Sequence, residues 1–352
     1  MRAVVFHGRE DVRVEDVAPP PEPGAGEILL DVSIASICGT DASEFAHGPL
    51  LVPLHAPHPG SGRGGPTVLG HEFTGRVAAL GAGVASLAPG DRVVCGAGVS
   101  CGRCAWCLAG RSNLCARYYT IGLHADGGLA DQVVVPVATC VPVPEGCSDR
   151  AAALAQPLAV AFHATGRARV SPGDSVAVIG VGGIGAFIIA AARARGAGVV
   201  LAVDVSEQRL TVASGLGADA AIDARGDAVA AIRAATGGSG ADVVIEASGS
   251  ATGLASATAA VRRGGRVLLV GLHDRPRTLD LLDLTVREIE LTTTLAHVSA
   301  SDLPDAVELL ATSDLSERVI DRMIALEDVV EDGLVALAEG RANGKILVLV
   351  AA

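Results

Sequence analysis

The stretch "SVAVIGVGGIGAFIIAAARA", residues 175–194, constrains the fold more than any other part of the chain. A β-type apolar run stops at Gly180. A Gly180-x-Gly182-x-x-Gly185 turn follows, and an alanine-rich helical pattern takes over. In that setting Gly180 makes the turn, Gly182 lets a pyrophosphate approach the backbone, and Gly185 lets the helix pack on the strand. The helix N-terminus then offers free N–H groups to phosphate oxygens. A second run, "VVLAVD", ends at Asp204, 19 residues past Gly185. A carboxylate there accepts hydrogen bonds from the two ribose hydroxyls and repels a 2′-phosphate. The expected cofactor is therefore NAD rather than NADP.

The alternation continues. "DAAID" (219–223), "ADVVIEASG" (241–249), "GGRVLLVGL" (264–272) and "IELTTTL" (289–295) read as strands with helical patterns between them. Near-continuous apolar strands joined by helices mean a parallel sheet covered on both faces, a doubly wound Rossmann α/β domain. The N-terminal part reads differently. "GEILLDVSIASI" (26–37), "TGRVAALG" (74–81) and "GDRVVCGAG" (90–98) are short strands broken by Gly and Pro, which suggests an antiparallel barrel-like domain. With 352 residues the chain has room for two domains, at about 100 to 200 residues each.

Aromatic residues make up only 2% of the chain, so the core must be built from Ala, Val, Leu and Ile. The formal net charge of −12 argues against a nucleic-acid partner and against an anionic membrane surface. No run reaches about 18 consecutive apolar residues, so no transmembrane helix is expected. The start, "MRAVVFHGRE", lacks the apolar core of a signal peptide, which points to a cytoplasmic protein. In a reducing compartment structural disulfides are disfavoured.

Four of the eight cysteines lie in "CGRCAWCLAGRSNLC": Cys101, Cys104, Cys107 and Cys115. Thiolates at C-x2-C spacing can fold round one ion from a tight turn, and four of them leave no open position. The expected occupant is a structural zinc; two disulfides, an iron–sulfur cluster or unrelated thiols are the alternatives. Cys95, Cys140 and Cys147 stand apart and read as small buried hydrophobes.

Cys38 in "ASICGTDASEF" and His71 in "VLGHEFTGRVAALGAGV" are a second pair of plausible zinc ligands, 33 positions apart. Glu72 follows His71 directly. Gly70-His71-Glu72 followed by Gly75, Gly81 and Val84, the four-cysteine run and "PGDRVV" (89–94) together resemble the zinc-containing alcohol dehydrogenases of the medium-chain dehydrogenase/reductase superfamily. Within it the chain is most similar to the butanediol, sorbitol and threonine dehydrogenases. The long segment between Cys38 and His71 looks most like the (R,R)-butanediol branch.

That resemblance implies a GroES-like catalytic domain with a structural-zinc lobe at residues 1–155 and 296–352, and a Rossmann NAD-binding domain at 156–295. It places the active site in the cleft between them. It implies two zinc ions per chain and a homodimer or homotetramer. Gly183, Ile184, Arg209 and Gly271 join the cofactor set, with Gly271 at a strand end near the nicotinamide. Zinc acts as a Lewis acid on the substrate hydroxyl, Thr40 relays its proton, and a hydride passes to NAD. An alternative for Thr40 is a cap on a helix starting near Asp41.

Two departures stand out. Where relatives carry a proton-relay histidine, this chain has Ser43, so the proton must leave by way of Ser43 and water, Glu44, or one of His47, His55 and His58. Where relatives read "EPLAV", this chain reads "QPLAV", with Gln156 in place of a glutamate. A Cys38, His71, Gln156 ligand set carries one less negative charge, so a more electrophilic, more weakly held zinc is expected, with Glu72 moving in to compensate; the alternative is that Gln156 stands beside the ligands without binding the ion. The function expected is hydride transfer between a secondary alcohol of diol or polyol type and NAD. The alternatives are an amino-alcohol (threonine or aminocyclitol) dehydrogenase and a catalytically weak NAD-binding protein. Specificity is expected in residues 43–66, near 118–124 and at 295–298.

Overall fold

The computed structural model describes residues 1–273 and 275–350; the last two residues of the expected C-terminal segment lie outside them. The chain divides into two compact units, Met1–Ala159 with His297–Ala352, and Val160–Ala296. The first divide thus falls inside the helix Ala155–Arg167.

In the second unit six strands form one sheet, in the order Ala220–Asp223, Val199–Asp204, Ser175–Ile179, Ala241–Glu246, Val261–Leu269, Glu290–Thr293. All five pairings are parallel. The inner strands are short and rich in Val, Ile and Leu because both faces are covered: Ala177, Leu201, Val203, Val244 and Val267 share one core cluster, while the edge strands Ala220–Asp223 and Glu290–Thr293 are mostly exposed. Strand order reverses on either side of Ser175–Ile179, the place where open α/β sheets bind ligands. The helix Gly183–Ala194 starts there. It can lie close to its strand because position 185 is glycine: a Cβ would sit 2.0 Å from the Gly180 carbonyl oxygen.

The first unit is built round the strand Glu27–Ser36. Glu72–Leu80 pairs antiparallel along one side. The other side is shared, with Gln132–Pro136 against residues 27–31 and the C-terminal strand Lys345–Leu349 against residues 34–36. The alternating pattern of Glu27–Ser36 sends Ile28, Leu30 and Val32 into a core with Phe6, Phe73, Val77, Leu129, Ile346 and Val348. Three of the chain's few aromatics, Phe6, Phe73 and Phe187, are among its largest fully buried side chains. Small aliphatic residues fill the rest, as the composition requires. Among the described residues no helix is long and apolar enough to cross a membrane.

Candidate active site

Cys101, Cys104, Cys107 and Cys115 bring their sulfurs within 4.8 Å of one another. Cys104 caps the one-turn helix Ala105–Leu108 that carries Cys107, which sets those two sulfurs 3.5 Å apart. Tetrahedral thiolates at a Zn–S distance of about 2.3 Å lie roughly 3.8 Å from each other, so the cluster fits the ion. Backbone N–H groups of Arg103 and Cys104, then the Cys115 thiol, pull the Cys101 pKa down to about 6, which readies a thiolate. All eight cysteines are free of disulfides. Cys95 and Cys147 are buried; Cys140 is only half-buried and stands directly opposite Cys95 across two strands, so the small-hydrophobe reading holds less well for it.

The second cluster is assembled from distant segments. The strand Glu27–Ser36 delivers Cys38 as the cap residue of the helix Gly39–His47. The start of Glu72–Leu80 delivers His71 and Glu72. Gly70 turns the chain into that strand at φ +99, and a Cβ there would meet Leu129 N at 2.5 Å. Ligating atoms of Cys38, His71 and Glu72 lie within 4.8 Å of one another, with His71 and Glu72 buried.

Two further side chains organise this cluster, and both escaped the sequence reading. Asp41 is fully buried; one carboxylate oxygen accepts from Cys38 N at 2.9 Å and the other lies 3.3 Å from His71 Nδ1. Such a carboxylate fixes an imidazole's tautomer and orientation. A Cys-x-x-Asp spacing at a helix start was the available signal. Lys345, buried at the start of the C-terminal strand, donates from Nζ to Glu72 Oε2 at 2.5 Å and to Ile37 O at 3.0 Å. No local pattern could have revealed it, because 273 residues separate the pair.

The electrostatics of the pocket call for a cation. Burial disfavours the imidazolium of His71, yet Asp41 and Cys38 outweigh it and raise its pKa well above the ordinary value. Burial also works against the charge on Lys345, and Glu72, Cys38 and Asp41 overcome it in the same direction. Both shifts have the same origin, the negative charge that Asp41 and Glu72 bring into the pocket, and a divalent ion would neutralise it. The donor set, one thiolate, one imidazole and one carboxylate, suits zinc.

The remaining predicted residues fall as follows. Thr40 Oγ1 lies 3.7 Å from Cys38 Sγ, inside the first helical turn; the cap is Cys38, not Thr40. Ser43 is exposed and its hydroxyl donates to Gly39 O at 2.9 Å. Glu44 is corrected as a proton carrier: it is fully buried, and its carboxylate accepts from the Leu50 and Leu51 N–H groups, holding the loop after the helix. His47 and His55 are exposed. His58 is not a free loop side chain; its ring stacks on His124 at 4.2 Å and its Nδ1 accepts from Gly60 N. Gln156 is buried in the first turn of Ala155–Arg167, in the same unit as Cys38 and His71.

In the other unit, Asp204 ends its strand, as expected. Its carboxylate accepts from Val181 N and Ser206 N, both at 2.9 Å, and Arg209 Nη1 stands 4.0 Å away. Gly182 caps the helix that holds Gly183, Ile184 and Gly185. Gly271 is packed against Gly249 and the buried Glu246, which itself accepts from the Ser248 and Gly249 N–H groups.

Residues 24–145 match the alcohol dehydrogenase GroES-like domain and residues 183–312 the zinc-binding dehydrogenase domain. The sorbitol dehydrogenase of Bacillus subtilis is 33% identical over 89% of this chain and 86% of its own length. The (R,R)-butanediol dehydrogenase of Bacillus subtilis is 31% identical over 99% of both chains. The crystal structure of a 2R,3R-butanediol dehydrogenase from Bacillus subtilis superposes with a TM-score of 0.92 at 29% identity, covering 99% of each chain. The chain belongs to the zinc-dependent alcohol dehydrogenase family of the medium-chain dehydrogenase/reductase superfamily. It is an oxidoreductase built from a GroES-like and a Rossmann domain.

Proposed function

We propose that this dehydrogenase transfers a hydride between the secondary hydroxyl of a small diol or polyol and NAD. The observation that carries the reading is the convergence of half-buried Cys38 with buried His71 and Glu72, oriented by Asp41 and Lys345. Similar chains are named for sorbitol and butanediol, which is why the panel of substrates starts there. Zinc bound to these residues supplies a Lewis acid that acidifies an alcohol, and NAD⁺ supplies the hydride acceptor.

The protein's own residues do the rest. Asp41 holds His71 in one orientation. Thr40, beside Cys38, takes up the substrate's proton and passes it to solvent, with the exposed Ser43 one turn further on. Cys101, Cys104, Cys107 and Cys115 hold a second, structural zinc. Asp204, steadied by two backbone N–H groups, faces the adenosine ribose and selects NAD over NADP; Arg209, Gly182, Gly183, Ile184 and Gly271 complete the cofactor set.

The charge balance refines the expectation about Gln156. Counting Cys38, Asp41 and Glu72 as −3, Lys345 as +1 and zinc as +2, with His71 neutral as a ligand, the set sums to zero. Glu72 thus supplies the charge that Gln156 lacks, and Lys345 holds Glu72 within reach. Eight free thiols suit a reducing, cytoplasmic setting. A homodimer or homotetramer is supported by the edge strand Glu290–Thr293, whose unpaired side lies near the exposed Val286, Leu291 and Leu295.

The test is NADH formation by purified protein with NAD⁺ and a panel of butanediol stereoisomers, sorbitol, inositols, threonine and aminocyclitols, alongside a zinc count. Turnover of a diol or polyol with two zincs per chain is expected. Preference for an amino alcohol would replace the substrate class. No turnover with one zinc per chain would reduce the protein to an NAD binder.

A further inference from the structure

The net charge of the chain is −12, yet arginines gather at one place in it. In the Rossmann unit, Arg233, Arg262, Arg263 and Arg287 line an open groove of about 540 Å³, with Asp283 and Ser239 on its wall. The groove is not the dinucleotide site. The strands Ser175–Ile179, Ala241–Glu246 and Val261–Leu269 run parallel. The Gly180–Gly185 loop leaves the carboxyl end of the first strand, whereas Arg262 and Arg263 stand at the amino end of the last. The two sites lie at opposite edges of the sheet.

Part of the arginine chemistry is local. Helices Gly253–Ala260 and Leu281–Val286 end at the groove. Arg233 Nη2 donates to Ala259 O, Arg287 Nη1 to Thr258 O and Arg263 Nη1 to Val286 O, at 2.9, 2.9 and 3.0 Å. A helix C-terminus carries only about half a negative charge, so these bonds anchor the guanidiniums without neutralising them. Arg262 is paired with Asp242 and Arg287 with Asp283. Arg233 and Arg263 are exposed and meet no carboxylate among the described residues. Each spends one N–H on a carbonyl, and a guanidinium has five.

Four arginines against Asp242 and Asp283 leave the groove at +2. The occupant must therefore be multiply negative. The volume lies in the range of about 300–1,000 Å³ typical of small-ligand sites, which favours a compact anion over a polymer. Guanidinium forks match phosphate oxygens two at a time, and backbone tethers have already restricted these side chains. We propose that this groove binds a phosphate-bearing small molecule, a di- or triphosphate, through Arg233 and Arg263, independently of the dinucleotide.

Inorganic triphosphate and ATP are titrated calorimetrically into the zinc-loaded protein at about 0.1 M salt, with and without saturating NAD⁺. One equivalent is expected to bind in either case. The Arg233→Ala/Arg263→Ala protein should bind at least about tenfold more weakly, since hydrogen bonds to charged groups each contribute on the order of tenfold or more. Its NAD⁺ affinity should match the parent, and its unfolding temperature should fall only modestly, by the loss of the bonds to Ala259 O and Val286 O. Arg233→Lys/Arg263→Lys, which keeps the charge and loses the forks, should fall between the two. Equal affinity for both ligands assigns the site to phosphates alone, and tighter ATP binding adds the nucleoside; either keeps the proposal. Displacement by NAD⁺, equal binding by the alanine variant, or no saturable binding of either ligand overturns it.

Discussion

The GroES-like unit holds two thiolate-bearing clusters that are built in opposite ways. The four-cysteine lobe draws every ligand from residues 101–115, carries its own backbone N–H donors and stands largely at the surface. The Cys38 cluster draws its ligands from two segments 33 residues apart, buries His71 and Glu72, and needs Asp41 and Lys345 to hold them. A local cluster of four identical donors closes round its ion and can only stabilise. A dispersed, mixed cluster sits where separate segments meet, and its charge can be tuned by residues that never touch the metal.

The sharpest way to break the comparison is to remove one thiol from each cluster. Cys38→Ala should lower kcat/KM by about a thousandfold or more, with zinc content falling from two to one per chain and little change in thermal unfolding. Cys104→Ser should also cost one zinc, but the loss should appear in the unfolding temperature and much less in kcat. Metal analysis, kinetics and calorimetry on the same preparations check both. Loss of activity in Cys104→Ser with an intact Cys38 site would erase the distinction.

Lys345→Met probes the burial. Removing one partner of a buried ion pair costs about 3–5 kcal/mol when the other charge is stranded. The loss should be near that figure in chelated protein and clearly smaller in zinc-loaded protein, where the ion can take over Glu72. Equal losses in the two states would mean that Glu72 does not reach the metal. Asp41→Asn is expected to act more mildly, weakening zinc at the Cys38 site by about 10–100-fold in a chelator competition while the four-cysteine lobe is unaffected.

The same contrast explains what could be read from the sequence. The cysteine lobe, the Gly180–Gly185 turn and Asp204 are legible because each is a short-range pattern whose geometry follows from local spacing. The inner parallel strands could be placed because burial on both faces leaves apolar runs, whereas the exposed edge strands Ala220–Asp223 and Glu290–Thr293 are legible only through the alternation of strand and helix around them. The strand Val261–Leu269 begins earlier than expected, since the Arg262–Gly265 segment interrupts its apolar run with charge and glycine. Lys345 could not be found, because sheet pairing between Glu27–Ser36 and the C-terminal strand brings it to Glu72. Glu44 misled for the related reason that a helical acid looks solvent-exposed until the loop that folds back on it is known.

Gln156→Glu is the smallest expected effect and the most informative about the dispersed cluster. If Glu72 supplies the charge that Gln156 lacks, a second carboxylate deepens the negative potential of the pocket. Zinc should then bind more tightly, by about tenfold or less, because the new charge competes with Glu72 for the same role. Lys345 would keep Glu72 to itself, so Lys345→Met should cost similar stability with and without zinc in the Gln156→Glu background. Chelator competition on the single variant, and unfolding on the double, separate these outcomes. Unchanged zinc binding in the single variant would show that Gln156 is not in electrostatic contact with the metal and that the neutral count of Cys38, Asp41, Glu72, Lys345 and zinc already describes the whole site; weaker binding would show that position 156 reaches the site but that the site lacks no charge.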